Sequence, residues 1–253
     1  MKRFEGKVVL VTGGGQGIGY GVSRAFAAEG ASLILTGRTL SKLERAKAAL
    51  EADFGVKVCI VTADGGSEED VKNAIETGVK EFGHLDTVVN NAQNSASGVM
   101  LVDHTKEDFD KAVYSGLYAT FFYMKHAFPY LKETGGSVVN FASGAGLFGK
   151  PGQSSYAAAK EGIRGLSRVA ATEWGPMGVR VNVVCPLAMT EGLEQWKEAY
   201  PDLFKKTIQG IPMGRFADSE KDIGRVCVFL ASEEASYVTG ETITLQGGSG
   251  LRP

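Results

Sequence analysis

Short β-branched runs alternate with longer stretches of helical spacing along this chain. The runs are Val8–Thr12, Ser32–Thr36, Val56–Thr62, Thr87–Asn90, Ser137–Phe141, Arg180–Val184 and Thr242–Leu245. Gly17–Glu29, Ser41–Phe54, Ser67–Phe82 and Lys106–Lys132 lie between them and carry apolar residues on a helical period. Strands alternating with helices predict βαβ units and a parallel sheet covered on both faces. Val8-Val9-Leu10-Val11 and Val181-Asn182-Val183-Val184 lack strict polar–apolar alternation, as strands buried on both faces should. The expected fold is therefore α/β, a doubly wound, mostly parallel sheet of seven strands with helices on both faces. No Pro/Gly/Ser-rich linker, internal repeat or low-complexity tract divides the chain, so residues 1–253 read as a single domain.

One stretch breaks this rhythm. Ala188 to Phe216 lies between a strand and a helix and is too long for an ordinary loop. Within it Leu193, Trp196, Tyr200 and Phe204 recur at steps of 3, 4 and 4, one face of a helix. The segment is either a helical insertion packed on the core or an apolar lid over a ligand cleft. Its place after the carboxyl end of a strand, where open α/β sheets bind ligands, favours the lid.

Composition narrows the function classes. Twenty-seven Lys and Arg against 29 Asp and Glu leave a formal charge of −2, with no basic excess to favour nucleic acid or an anionic membrane. No segment approaches the roughly 18 apolar residues of a membrane span, and Val8 to Val11 behind the basic start is too short for a signal sequence. Cys59, Cys185 and Cys227 are far apart and sit in apolar runs, which reads as small buried side chains in a reducing, cytoplasmic setting. His84, His104 and His126 show no paired ligand spacing, so no metal site is expected.

The first strand leads into Gly13-Gly14-Gly15-Gln16-Gly17-Ile18-Gly19 and then a helix. Glycines there allow a tight turn and close approach to a pyrophosphate, and the helix N-terminus offers free N–H groups and the positive end of its dipole. In the first strand–turn–helix of a βαβ unit this pattern points to dinucleotide binding. The second strand ends Leu35-Thr36-Gly37-Arg38-Thr39, with no acid to accept hydrogen bonds from a ribose diol. Arg38 suits a 2′-phosphate instead, which favours NADP(H), with NAD(H) as the second option and a solvated strand-end arginine as the bland one.

Tyr156 and Lys160 stand four apart in an Ala-rich stretch and share a helix face. A phenol with a pKa of about 10 is a poor base at neutral pH. A neighbouring ammonium favours phenolate, so the pair is expected to lower the Tyr156 pKa toward the range useful for proton transfer. Ser143 follows a β-run and is placed to donate a hydrogen bond to a substrate oxygen.

Thr12-Gly13-(three residues)-Gly17-Ile18-Gly19, Asn90-Asn91-Ala92, Ser143, Tyr156-(three residues)-Lys160 and the closing Gly240 … Gly247-Gly248 together resemble the short-chain dehydrogenase/reductase family over essentially the whole chain. Ser143 lies 13 residues before Tyr156, the usual spacing in that family. The resemblance implies a Rossmann fold and hydride transfer between a nicotinamide and a carbonyl or carbinol carbon, with Ser143, Tyr156 and Lys160 as catalytic residues. It implies that Tyr156 supplies or takes the oxygen-bound proton and that Lys160 also holds nicotinamide ribose hydroxyls. Asp64 would contact the adenine, Asn90 would lie beside the adenine ribose and Thr190 would meet the nicotinamide carboxamide. The cofactor set is then Gly13, Gly15, Gln16, Gly17, Ile18, Gly19, Arg38, Asp64, Asn90, Thr190, Tyr156 and Lys160. Family members are commonly tetramers built on the helix that carries Tyr156 and on the last strand, so a homo-tetramer is expected.

Four positions depart from the family pattern. Gly116 stands where the family has an Asn that helps hold a water in a proton relay to the Lys; a main-chain carbonyl at a glycine kink or Ser115 would hold that water instead, or the relay is weakened. Gln93 follows Asn90-Asn91-Ala92 where glycine is usual, Pro186-Leu187 replaces Pro-Gly, and Gln246 replaces an Asp before the last glycine pair. The expected substrate wall, Gln93, Leu147, Gln153 and Leu187 with Ala145, Leu193 and Trp196 nearby, is mostly apolar with amide groups. It suits a hydrophobic ketone or secondary alcohol: a steroid, cyclic ketone or acyl chain. The altered positions leave a second reading, a cofactor-binding sensor or scaffold of the same fold with weak or lost turnover.

Overall fold

A computed structural model describes residues 2–250; Met1 and residues 251–253 lie outside the described residues. The strands are β1 (Val8–Thr12), β2 (Ser32–Gly37), β3 (Val58–Thr62), β4 (Thr87–Asn90), β5 (Ser137–Phe141), β6 (Arg180–Pro186) and β7 (Thr242–Leu245). They form one seven-stranded sheet in the order β3-β2-β1-β4-β5-β6-β7, with every pairing parallel. The expected doubly wound α/β sheet is thus present. β3 starts two residues later than its apolar run predicts, because Gly55 closes the preceding helix in the left-handed conformation at φ 67° and Val56 falls in the exit turn.

The helices are α1 (Gly17–Ala28), α2 (Leu40–Phe54), α3 (Glu68–Phe82), α4 (Lys106–Ala112), α5 (Ala119–Thr134), α6 (Gly144–Phe148), α7 (Ser154–Trp174), α8 (Glu191–Ala199), α9 (Pro201–Gln209) and α10 (Arg225–Ala231). Each strand sends alternate residues to opposite faces, so β1 is apolar at every position for two different reasons. Val9 and Val11 join a cluster with Val22 and Phe26 of α1, Leu43 and Leu50 of α2, and Val228 and Leu230 of α10. Val8 and Leu10 join one with Val71 and Ile75 of α3, Met124 and Leu131 of α5, and Ala170 of α7.

Two expected helical spans are interrupted. Lys106–Lys132 is α4, a π-helical turn over Val113–Tyr118, and α5. A π turn inserts one residue without breaking the apolar stripe, so periodicity does not reveal it. The stripe Leu193, Trp196, Tyr200, Phe204 is not one helix face. The chain breaks at Tyr200 (φ −138°, ψ 64°), which is exposed, and Pro201 opens α9. Proline fits a first helical turn but not a helix interior.

Helices pack on the sheet closely enough that some positions admit no side chain. A Cβ at Gly78 of α3 would be built into the Ile34 side chain of β2. Ile34 is fully buried and cannot move aside into solvent. Gly78→Ala is therefore expected to destabilise the protein by about 1–3 kcal/mol despite its better helix propensity. Urea unfolding would show this as a lower midpoint, and an unchanged or higher midpoint would mean that the α3–β2 interface yields freely.

Candidate active site

The chain runs β1 to β2 to β3 in one direction across the sheet, then returns to place β4 on the other side of β1. At such a switch point the loops leaving the carboxyl ends of the two neighbouring strands diverge and leave a crevice. The crevice here is lined by Thr12, Gly13, Gly15, Gln16, Gly17 and Ile18 after β1, by Arg38, Thr39 and Lys42 after β2, and by Asp64 after β3. Asn91, Ala92, Gln93 and Asn94 after β4, with Thr190 and Glu191 after β6, close its other side.

The residues present fit a dinucleotide. Gly13 and Gly17 adopt φ 67° and φ 54°, which favours glycine over any side chain. A Cβ on Gly13 would lie 3.0 Å from Asn91 Nδ2, and one on Gly19 would strike the Gly13 carbonyl. The turn is thus closed to side chains while its concave face stays open. Gln16 caps α1 without a side-chain hydrogen bond, and the first turn holds no acid. The unmet N–H groups and the dipole of α1 therefore face the crevice, the arrangement that receives a phosphate.

Arg38 is exposed at the crevice edge. Lys42, a residue the sequence reading passed over, lies beside it in the first turn of α2 and its ammonium donates to Gln16 Oε1. Its position four residues after Arg38, just past the strand end, was the available signal. Asp64 lines the crevice and accepts from Gly66 N–H at 3.0 Å. Thr190 lines it too and caps α8, accepting from Leu193 N–H at 3.3 Å.

Asn90 differs from expectation. It is buried in the sheet and absent from the crevice lining; its Nδ2 donates to Asn140 Oδ1 at 2.8 Å. Asn140 Nδ2 in turn donates to Ser167 Oγ at 2.8 Å. The neighbouring Asn91 faces the crevice instead, its Nδ2 donating to the Thr12 carbonyl at 3.0 Å. Successive strand-end residues point to opposite faces, and the Asn-Asn pair alone does not say which faces the ligand. Gly19 is likewise a packing glycine rather than part of the lining.

Ser143, Tyr156 and Lys160 meet beyond the end of β5. Ser143 caps α6, its Oγ accepting from Ala145 N–H at 3.1 Å, and it hydrogen-bonds to Tyr156. Lys160 is buried; its Nζ donates to the Phe141 carbonyl at 2.6 Å and sits 5.5 Å from the centre of the Tyr156 ring. The expectation that the ammonium lowers the phenol pKa is not met in the ligand-free protein. Burial pushes the Tyr156 phenol up, against a downward pull from the Ser143 hydrogen bond. Burial also pulls the Lys160 ammonium down to about 7, so the charge that was to depress the phenol is itself disfavoured. At neutral pH Tyr156 stands as a neutral phenol, a proton donor toward an oxygen placed above it.

The residues of the expected substrate wall have different local partners. Gln93 lines the crevice with its carboxamide turned to Gly116. Leu147 packs on Ala142, Val183 and Cys185. Gln153 is bridged to Val99, and its Oε1 accepts from Ser97 Oγ at 3.3 Å. Leu187 joins Met189, Leu193, Trp196, Ile208, Phe204, Ile211 and Phe216 in an apolar cluster after β6. The 188–216 insertion thus has a core of its own, and Leu193 and Trp196 are only partly buried in it.

A family model described as enoyl-(acyl carrier protein) reductase matches residues 13–249. A 12α-hydroxysteroid dehydrogenase of Clostridium sp. is 59 % identical over 256 residues, which cover 99 % of each protein. The chain belongs to the short-chain dehydrogenase/reductase family. The solved structure of a levodione reductase superposes with a TM-score of 0.92 at 34 % identity, covering 98 % of this chain and 99 % of that one. An NAD+-bound xylitol dehydrogenase superposes with a TM-score of 0.91 at 29 % identity, covering 98 % and 100 %. This short-chain dehydrogenase/reductase is an NAD(P)(H)-dependent oxidoreductase that interconverts a ketone and a secondary alcohol. No observation favours the sensor or scaffold reading.

The buried amine has a consequence for stability. Between pH about 7 and its ordinary pKa of 10.5, Lys160 binds a proton in the unfolded chain that it does not hold in the folded one. Its contribution to stability therefore rises with pH through that window, by at most about 1.4 kcal/mol per pH unit. Urea unfolding of ligand-free Lys160→Met between pH 7 and 9.5 should show a shallower rise than the natural protein. Equal slopes would mean that the amine stays charged in its buried site.

Proposed function

We propose that this enzyme is an NADP(H)-preferring hydroxysteroid dehydrogenase acting at a 12-hydroxyl or 12-oxo group. The observation that carries the substrate class is the 59 % identity with the Clostridium 12α-hydroxysteroid dehydrogenase across the whole chain. The apolar cluster of the 188–216 insertion, at the carboxyl end of β6, supports a rigid hydrophobic substrate over a phosphorylated or polycationic one.

A nicotinamide cofactor in the crevice would supply or accept the hydride. The chain's own residues hold the other reactant. Tyr156 O–H donates the proton that the carbonyl oxygen takes up in reduction and recovers it in oxidation. Ser143 Oγ–H steadies the same oxygen, and Lys160 holds hydroxyls of the nicotinamide ribose. Gly13, Gly15, Gln16, Gly17 and Ile18 cradle the pyrophosphate, with Gly19 keeping the turn closed. Asp64 meets the adenine, and Asn91 takes the place beside its ribose that was expected of Asn90. Thr190 reaches the nicotinamide carboxamide.

The NADP preference rests on two cations at one end of the crevice, Arg38 and Lys42. Charge-assisted hydrogen bonds are worth about 1.5–3 kcal/mol each, roughly 10- to 100-fold in affinity. Arg38→Asp should weaken NADPH by that much relative to NADH, and Lys42→Ala should have a smaller effect in the same direction. Unchanged relative affinity, read by cofactor fluorescence, would reject the assignment. A cytoplasmic, self-associating enzyme is part of the same proposal. No helix among the described residues is long and apolar enough to cross a membrane. β7 is a sheet edge, Val169 on α7 is exposed, and both would be covered in a tetramer.

The deciding experiment is NADPH oxidation with 12-oxo, 7-oxo and 3-oxo steroids beside cyclic and acyl ketones. Turnover should be highest with the 12-oxo steroid, and Tyr156→Phe should lose it by about 100-fold or more. Preference for a non-steroid ketone would reject the substrate class while leaving the reaction intact.

A further inference from the structure

The helix that carries Tyr156 begins without a cap of its own. Gln153, at the N-cap of α7, makes no side-chain hydrogen bond to the first turn, and that turn holds no acid. Tyr156 is the third residue of the turn. The two bonds that tie α7 to the sheet, Lys160 to Phe141 and Asn140 to Ser167, both lie beyond it toward the carboxyl end. Helix ends fray where their free N–H groups lack partners. The phenol therefore sits in the part of α7 that those ties do not reach.

The anchor comes from the loop between β4 and α4. Gly98 N–H donates to the Gly152 carbonyl at 2.8 Å, and Val99 pairs with Gln153. The loop then turns outward, exposing Met100, Leu101 and Val102, and returns at His104. The imidazole there spans two consecutive residues of α7: Nδ1 lies 3.1 Å from Ser154 Oγ and Nε2 2.9 Å from Ser155 Oγ. Among the described residues His104 is the only hydrogen-bond partner of either hydroxyl. Ser155 is fully buried and adjoins Tyr156 in the chain, so losing His104 would leave its hydroxyl unmet away from water. A neutral imidazole has one donor and one acceptor nitrogen, and a hydroxyl plays either part, so both bonds form at once in either tautomer. A serine against a histidine is also the pairing of a hydrolytic nucleophile. That role fails here, because no substrate can reach Ser155 Oγ and the second ring nitrogen faces Ser154 rather than an orienting carboxylate.

We propose that His104 is a positioning residue for Tyr156: its ring clamps Ser154 and Ser155, holds the first turn of α7 in place, and so keeps the phenol on its line to Ser143 and the carbonyl oxygen. This inference rests on the carbonyl–alcohol reading of the site. His104 is not part of the crevice lining, so it acts through α7 and not on the cofactor. Loosening a proton donor costs less than removing it, but a misplacement of about 1 Å already costs up to roughly 100-fold in rate.

The test uses His104→Ala, His104→Gln and the paired change Ser154→Ala/Ser155→Ala in the full-length enzyme. The assay is NADPH oxidation with whichever panel ketone the natural enzyme reduces fastest. His104→Ala should lower kcat roughly tenfold, with KM for ketone and NADPH held within about twofold because no reactant contact is lost. His104→Gln, whose carboxamide offers a donor and an acceptor, should return kcat to within about threefold of the natural enzyme. The paired serine change, which leaves the ring in place, should lose as much kcat as His104→Ala, and combining the two should cost no more. Amide exchange should quicken at residues 154–157 in His104→Ala and stay unchanged at 163–170. Three results would overturn the proposal: kcat of His104→Ala within about twofold of natural, a rise in KM alone, which would make His104 a substrate contact, or glutamine no better than alanine, which would make the ring a packing group. If His104→Ala does not fold, the paired serine change decides the matter. An enzyme inactive with every ketone would instead reject the carbonyl–alcohol reading, and unchanged exchange at 154–157 would still overturn the clamp.

Discussion

Burial on both faces of the sheet is the constraint from which the site follows. Helices cover each side, so the inner strands offer no side chain to a ligand along their length. Backbone and side chains meet the outside only at strand ends, and only where neighbouring loops part. Parallel pairing sends every carboxyl end to one edge of the sheet, and the reversal of strand order between β1 and β4 opens that edge. The glycine turn after β1, the basic pair at Arg38 and Lys42, and the Ser143–Tyr156–Lys160 group all lie along it. Their distance in sequence is a consequence of the winding.

A second constraint joins the two halves of the site. Asn90, Asn140 and Ser167 form a polar line through an otherwise apolar interior, and Ser167 Oγ donates on to the Ile163 carbonyl at 2.6 Å. Each bond is worth about 0.5–1.5 kcal/mol net, but each is costly to break where no water can enter. The line ties β4 and β5 to α7, the helix that carries Tyr156 and Lys160. Lys160 adds a tie of its own to Phe141. A helix held to the strand ends at two places along its length keeps its phenol in register with the crevice. Apolar packing alone tolerates small shifts and would hold that register less well.

Much of this was legible in the residues. Strand–helix alternation specified the sheet, helped by inner strands such as β1 that are apolar at every position, a pattern that helices and half-exposed strands do not share. The glycine turn was legible because few other residues adopt positive φ at positions 13 and 17. Other features escaped because they depend on neighbours distant in sequence. Asn90 and Asn91 are chemically identical, and only the strand pleat decides that the first points into the core. The raised Tyr156 phenol and lowered Lys160 ammonium follow from burial, which spacing along a helix does not report. The break at Tyr200 was signalled by Pro201 but hidden by an apolar stripe that continues across it.

The departures from the family pattern also read differently once placed in space. Gly116 taken alone looks like the loss of a polar side chain, and Gln93 taken alone looks like an intrusion beside the crevice. They touch, and a side chain at 116 would strike the Gln93 carboxamide where it now lies. The same logic applies across the sheet, where the Gln246 carboxamide fills the space above Gly144, beside Ser143. Each carboxamide lies against a glycine next to a residue of the Ser143–Tyr156–Lys160 group or the helix that holds it. Divergence here takes the form of compensated exchanges around an unchanged serine, tyrosine and lysine.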